Sequence, residues 1–171
     1  MIRCRPRLVV VDVLGEHNFG QRVSDLDEAL EMLDAVQDRE CFALTIQPGR
    51  GDLASVIDTV CDAVFEVGKL TLALEEIPHY CTAGSIPEGL DVLARMGRHR
   101  QVDLVYTGQR FAELPRRLTA TTDFFILFGQ REPRDLEALA DRVGRELAER
   151  VAGLPLHGRL VYDVVSGQCV S

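Results

Sequence analysis

Residues Leu70–Glu76 read LTLALEE: five mostly apolar positions, then two adjacent carboxylates. A short apolar run bounded by Gly68 and charge has the length and composition of a strand buried on both faces. Strands of that kind belong to parallel sheets covered by helices. The same grammar recurs outward from it. Leu8–Val13 (LVVVDV) is a β-branched run broken by Asp12, Cys41–Ile46 closes on the turn Gln47-Pro48-Gly49, and Val102–Thr107 runs into Gly108-Gln109-Arg110. Phe124–Phe128 is a further strand, and Arg159–Asp163 with Gln168–Val170 spells a small hairpin across Ser166-Gly167.

Between these runs the period changes to that of helices. Leu26, Leu30, Leu33 and Val36 share one face, with Ser24 as expected cap and Asp27 in the capping-box position. Leu53, Val56, Ile57, Val60, Ala63 and Val64 share another, ending at Gly68. Ser85-x-x-Glu88, with Pro87 between, opens a helix that stops at Gly97. A short helix covers 113–120, and a helix or helix pair covers about 134–151. Alternating strands and helices imply an α/β fold with a largely parallel sheet and flanking helices. With no internal repeat, linker or low-complexity segment, the 171 residues read as a single domain.

Composition narrows the function classes. Hydrophobic residues make up 46% and charged residues 27%, the balance of a folded globular chain. No apolar run approaches the length of a bilayer span, and no secretory h-region follows Met1. The net charge of −8 argues against wholesale coating of nucleic acid, but the charge is unevenly spread. Residues 1–94 carry 7 basic and 17 acidic side chains, whereas 95–150 carry 11 and 9, so the later part is better suited to phosphates. Five cysteines, odd in number and without a C-x-x-C pair, read as small buried thiols in a reducing, cytoplasmic setting.

In parallel α/β sheets, functional groups collect where strands end. Here the ends carry Asp12, then Glu75 and Glu76, then Gln109. Two adjacent carboxylates after a buried strand suit phosphoryl chemistry, one holding a metal ion and the next orienting a water. Gln109, one strand over, is placed to hydrogen-bond the transferred phosphate or that water.

Three segments together, LTLALEEIPHY (70–80), RMGRHRQVDLVYTGQR (95–110) and TATTDFFILFGQREPRDLEAL (119–139), resemble the FtsK/HerA branch of P-loop ATPases, above all small phage and plasmid members that package or move DNA. The opening RPRLVVVDVLGEH (5–17) is similar to the strand after their phosphate-binding helix. The resemblance implies a RecA-like core in which 70–76 is the Walker B strand. It assigns Glu75 to the Mg2+-site acid, Glu76 to the catalytic glutamate and Gln109 to the polar sensor, with ATP as the nucleotide. It also points to Arg98 and Arg100, ahead of Arg116 and Arg117, as groups reaching a neighbouring subunit's nucleotide or DNA. Asp12 and Glu16, with His17, fall beside the nucleotide cleft, and His79 and Tyr80 close to it. DNA and a homo-oligomeric ring are the implied partners.

Two departures matter. Glu75 stands where the family has aspartate, which moves the carboxylate by about a bond length. A Walker A loop, G-x-x-x-x-G-K-[ST], is absent: Lys69 is the only lysine, and it precedes a strand. The expectation is therefore an amino-terminally incomplete core, lacking its first strand and phosphate loop through truncation or a misplaced start codon, and inactive alone. The alternatives are a non-catalytic assembly module derived from such an ATPase, and a metal-dependent hydrolase or nuclease using Asp12, Glu75 and Glu76.

Overall fold

The computed structural model describes residues 6–49, 51–82 and 84–170; Cys4 and Arg5 lie outside them. The chain divides into two compact units, 1–108 and 109–171.

The first unit is built on a five-stranded parallel sheet. Its strands are β1 (Arg7–Val11), β2 (Gln21–Val23), β3 (Phe42–Ile46), β4 (Thr71–Leu74) and β5 (Asp103–Tyr106), in the order β2-β3-β1-β4-β5. β1 is central, with Val9 level with Leu44 and Leu72, and Val11 level with Ile46 and Leu74. All six are buried, so the apolar runs sit where both sheet faces are covered. Strand β2 was not expected: QRV is three residues long and mostly polar, below the reach of a periodicity argument.

Three helices flank this sheet: α1 (Leu26–Ala35), α2 (Leu53–Val67) and α3 (Glu88–Met96). On α2, Ile57, Val60, Cys61 and Val64 form a stripe that is entirely buried. Burying each aliphatic side chain of this kind stabilises by about 1.5–3 kcal/mol. The caps differ from the sequence reading. Asp25, not Ser24, caps α1 by accepting from the Glu28 N–H at 3.0 Å. Helix α3 has no side-chain cap of its own from Ser85; the Asp58 carboxylate, on α2, accepts the Gly89 N–H at 2.5 Å instead. That bond requires the close approach a glycine allows, since a Cβ at 89 would lie 2.8 Å from the Asp58 carbonyl oxygen.

The second unit holds an antiparallel sheet, β6 (Phe124–Phe128), β7 (Arg159–Asp163) and β8 (Gln168–Val170), in that order. The expected 159–170 hairpin is present. The expected helix pair is also present as α5 (Pro133–Val143) and α6 (Arg145–Ala152), separated by Gly144 at φ 95°; α4 (Arg116–Ala120) is shorter than its sequence pattern suggested. Phe125, Leu127, Leu139, Leu147, Val151 and Leu160 make this unit's core. The buried Asp135 carboxylate fastens the loop before it, accepting from Arg110 Nε at 3.1 Å and Ala112 N–H at 2.9 Å.

Among the described residues no helix is long and apolar enough to cross a membrane. Cys61 and Cys81 are the buried free thiols expected, Cys169 is half-buried, and Cys41 is exposed, contrary to that reading.

Candidate functional site

Parallel strands deliver their following residues to one edge, and in the first unit that edge collects polar groups. Asp12 follows β1, Gln47 follows β3, Glu75 and Glu76 follow β4, and Thr107 follows β5. The ladder carries on past β4, with the Glu75 N–H donating to the Val11 carbonyl at 3.1 Å.

Asp12 is the most enclosed of these groups, 1% exposed. Its Oδ1 accepts from the N–H of Gly15 at 2.7 Å and of Glu16 at 3.1 Å. Its Oδ2 accepts from the N–H of His17 at 2.8 Å and from Gln47 Nε2 at 3.3 Å. One carboxylate thus folds the loop after β1 back on itself. Burial pushes the Asp12 carboxyl up, but a hydrogen bond from the Glu75 side chain and the N–H groups of His17, Gly15 and Glu16 outweigh it and bring the pKa to about 2.

Glu75 is the other half of this pair. Burial, followed by the hydrogen bond it shares with Asp12, pushes its carboxyl above the ordinary range, while the Leu14 N–H and His17 act the other way. His17 Nε2 lies 3.1 Å from Oε1, and the Leu14 N–H lies 3.4 Å from Oε2. Tyr80, predicted to pack near this site, donates its hydroxyl to the Glu75 carbonyl at 3.1 Å.

Glu76 differs from its neighbour. It is half-buried and sits in the left-handed region at φ 47°, ψ 59°. The end of β5 holds this kink: Thr107 Oγ1 accepts the Glu76 N–H at 3.0 Å, and the Thr107 carbonyl accepts the Ile77 N–H at 2.9 Å. A non-glycine residue kept left-handed costs about 1–2 kcal/mol, which the flanking bonds sustain.

The sequence-selected residues are therefore only partly gathered. Asp12, Glu75 and His17 form one hydrogen-bonded cluster, with Glu76 next in the chain. Glu16 is exposed and gives Asp12 only its N–H. His79 is exposed in the turn after Glu76, on the wall of a cavity of about 350 Å³ that it shares with Asp52, Leu53, Tyr80 and Thr82. Neither this cavity nor its neighbour of about 210 Å³, beside Ser24 and Pro48, is lined by Asp12, Glu75 or Glu76. Gln109 opens the second unit, where its carbonyl accepts from Gln130 Nε2 at 3.2 Å.

Arg98 and Arg100 are at the other end of the sheet. They sit in the 97–100 turn that leads into β5, and the Arg100 carbonyl accepts the Lys69 N–H at 2.8 Å just before β4. About five strand residues, or ~16 Å, separate that edge from the carboxylates. Arg100 also holds local structure together. Its Nε donates to the Phe65 carbonyl at 2.7 Å, a second nitrogen donates to the Glu66 carbonyl, and the guanidinium lies over the Phe65 ring. It closes the last turn of α2. Arg116 and Arg117 are exposed on α4.

Sequence reasoning missed Gln47 and Thr107. Each was within reach of the rule that selected Asp12, being the first polar group after an apolar run.

The described residues form no all-protein cage for Mg2+, an ion that usually keeps several waters and takes one or two carboxylates with substrate phosphates. Among the described residues no group of three or more His, Cys, Asp or Glu side chains is arranged to hold a metal. Both Glu75 oxygens already face Leu14 and His17, and Asp12 is taken up by backbone N–H groups. This arrangement also removes support for a nuclease using Asp12, Glu75 and Glu76 as joint metal ligands.

No protein-family model matches the chain, and no curated protein matches it. Solved structures do. The genome packaging NTPase B204 from Sulfolobus turreted icosahedral virus 2, in complex with ATP-gammaS, superposes with a TM-score of 0.77 at 20% identity, covering 96% of this chain and 80% of that one. Its complex with AMP gives a TM-score of 0.76 at 20% identity over 96% and 81%. B204 from Sulfolobus turreted icosahedral virus, described as a DNA-packaging ATPase, gives 0.76 at 19% over 96% and 80%. The likeness establishes the fold alone: an α/β architecture with a mostly parallel sheet and flanking helices, shared with B204.

Proposed function

We propose that this chain is the core of an ATP-dependent motor that packages or translocates DNA, related to the FtsK/HerA ATPases. The observation that carries the reading is a conjunction. A fold matched over nearly the whole chain by a genome packaging NTPase places a Glu-Glu pair at the carboxyl edge of its parallel sheet. In that fold class, this edge is where substrates bind.

In this reading ATP is the substrate and Glu76 orients the water that attacks its terminal phosphate. Thr107 positions Glu76 by fixing its left-handed backbone. Asp12 and Glu75 act as a pair that shapes the 13–17 loop, with Asp12 and Glu16 on the nucleotide side. Mg2+ accompanies ATP, and Glu75 is the carboxylate that would hold it, through water. Gln109 is the polar group that senses the phosphate. Arg98 and Arg100, being remote from Glu76 in their own chain, act only toward a neighbouring subunit in a ring, and Arg98 is the better candidate because Arg100 is committed to α2. DNA is the polymer moved.

The phosphate cradle must come from a segment outside these 171 residues, because they contain no G-x-x-x-x-G-K-[ST]. The same absence favours a second reading, an assembly module that keeps the fold without hydrolysis.

ATP turnover separates the two. The chain alone is expected to turn over far more slowly than one per second. The chain joined to a strand–phosphate loop–helix segment should hydrolyse ATP at about one per second or faster, and faster still with duplex DNA. Comparable turnover by the 171 residues alone would overturn the need for a cradle from outside. No turnover by the joined protein would favour the assembly module.

A further inference from the structure

We propose that Tyr80 is a positioning residue for Glu76, locking from the buried side the peptide that joins the two carboxylates. The lock itself is independent of the ATPase reading; its consequence for turnover rests on that reading.

The chain leaves β4 through a closed circuit of hydrogen bonds. The Glu75 N–H is still in the sheet, on the Val11 carbonyl at 3.1 Å. The next two backbone groups are not. The Glu75 carbonyl accepts from the Tyr80 hydroxyl at 3.1 Å, and the Glu76 N–H donates to Thr107 Oγ1 at 3.0 Å. Both polar groups of the 75–76 peptide are thus held by side chains, where a regular strand would use the backbone of its neighbours. Beyond it the Glu76 carbonyl accepts the His79 N–H at 2.9 Å, and the Ile77 N–H donates to the Thr107 carbonyl at 2.9 Å. Every backbone group from the Glu75 N–H to the Ile77 N–H is therefore paired.

Tyr80 reaches back because the intervening chain is one tight turn. Ile77–His79 forms a single 3-10 turn with Pro78 inside it, and the N–H groups of Tyr80 and Cys81 both donate to the Ile77 carbonyl. Ile77, Tyr80 and Cys81 are all buried, so packing holds the ring whose hydroxyl makes the bond.

The two hydroxyls differ in what their loss would cost. Thr107 is exposed, and water can take its place beside the Glu76 N–H. The Tyr80 bond is buried, and removing it leaves the Glu75 carbonyl without a replacement. Tyr80 is the stronger half of the grip. What the grip fixes is direction. Successive side chains of a strand point to opposite faces. The left-handed step at Glu76 ends that alternation and sets its carboxylate relative to that of Glu75. A group that orients an attacking water must keep its place closely, since a displacement of about 1 Å can cost about a hundredfold in rate.

Tyr80→Phe removes the hydroxyl and keeps the ring. In NMR of the purified chain, the variant's Glu76 and Ile77 amides should exchange about tenfold faster than the parent's, while those of Leu72 and Leu74 stay within about twofold. The Glu76 coupling constant that reports φ should also leave its left-handed value. In the chain joined to a phosphate-loop segment, the variant should lower kcat for ATP about tenfold with KM within about twofold, a split that a general loss of folding would not produce. Unchanged exchange at Glu76 and Ile77 would overturn the lock. If the joined parent is active and the variant matches it, the positioning role fails and the ATPase reading stands. If the joined parent is inactive while the variant's amides are freed, the ATPase reading fails and the lock stands.

Discussion

Replacing Asp12 with asparagine is a sharp perturbation of the site, because nearly isosteric amide and carboxylate differ in what they accept. The carboxylate takes three backbone N–H groups and Gln47 Nε2 on its two oxygens. Asparagine would offer one oxygen and turn an NH2 group toward at least one of those donors. Lowering the pKa from 3.8 to about 2 corresponds to a preference for the charged form on the order of 2 kcal/mol. We expect Asp12→Asn to destabilise the first unit by about 2 kcal/mol, a fall in Tm of about 4–8 °C for a chain of this length. The sign with pH follows from a folded pKa below the unfolded one. The stabilisation is complete above about pH 4 and disappears as pH falls through about 2, whereas the variant lacks this dependence. Thermal unfolding by circular dichroism at pH 7 and across pH 2–4, with hydrogen exchange at Gly15, Glu16 and His17, reads both effects. A variant within about 0.5 kcal/mol of the parent, with those three amides equally protected, would refute the reasoning.

Glu75 should behave in the opposite sense. Its folded pKa is raised, so the parent loses stability as pH climbs above about 4.5, and Glu75→Gln should flatten Tm against pH above that point; parallel curves would contradict this. Glu76→Gly should raise the urea midpoint, since glycine relieves the left-handed backbone by about 1 kcal/mol; a lower midpoint would show that the side chain itself holds the turn. Arg100→Ala should cost about 1–2 kcal/mol in thermal denaturation through the lost Phe65 and Glu66 carbonyl bonds, and an unchanged Tm would return Arg100 to the arginines free to act in trans.

The sheet was legible because its strands are buried on both faces. Runs such as LVVVDV and LTLALEE have no other comfortable place, and the first polar residues after them mark the edge where chemistry gathers. Local choices were less legible. Ser24 and Asp25 are both good caps, and only the position of the first turn decides between them. Helix α3 takes its cap from Asp58, a residue 31 positions away, and no local motif encodes such a bond. Arg98 and Arg100 precede β5 in the chain and so lie at the amino edge of the sheet, opposite the carboxylates, and in a parallel sheet the two edges differ in function. The pairing of Asp12 with Glu75 was equally hidden, since two carboxylates share a hydrogen bond only when the fold brings β1 and β4 side by side.

Glu76, at the carboxyl edge of the parallel sheet, is the residue on which the proposed ATP chemistry turns. Its most direct test compares nucleotide binding and hydrolysis by the chain joined to a phosphate-loop segment, with Glu76 intact and as Glu76→Gln. The expected result is ATP-gammaS binding within about twofold and hydrolysis slowed by about a hundredfold or more in the variant. Equal hydrolysis by both proteins would contradict the role given to Glu76.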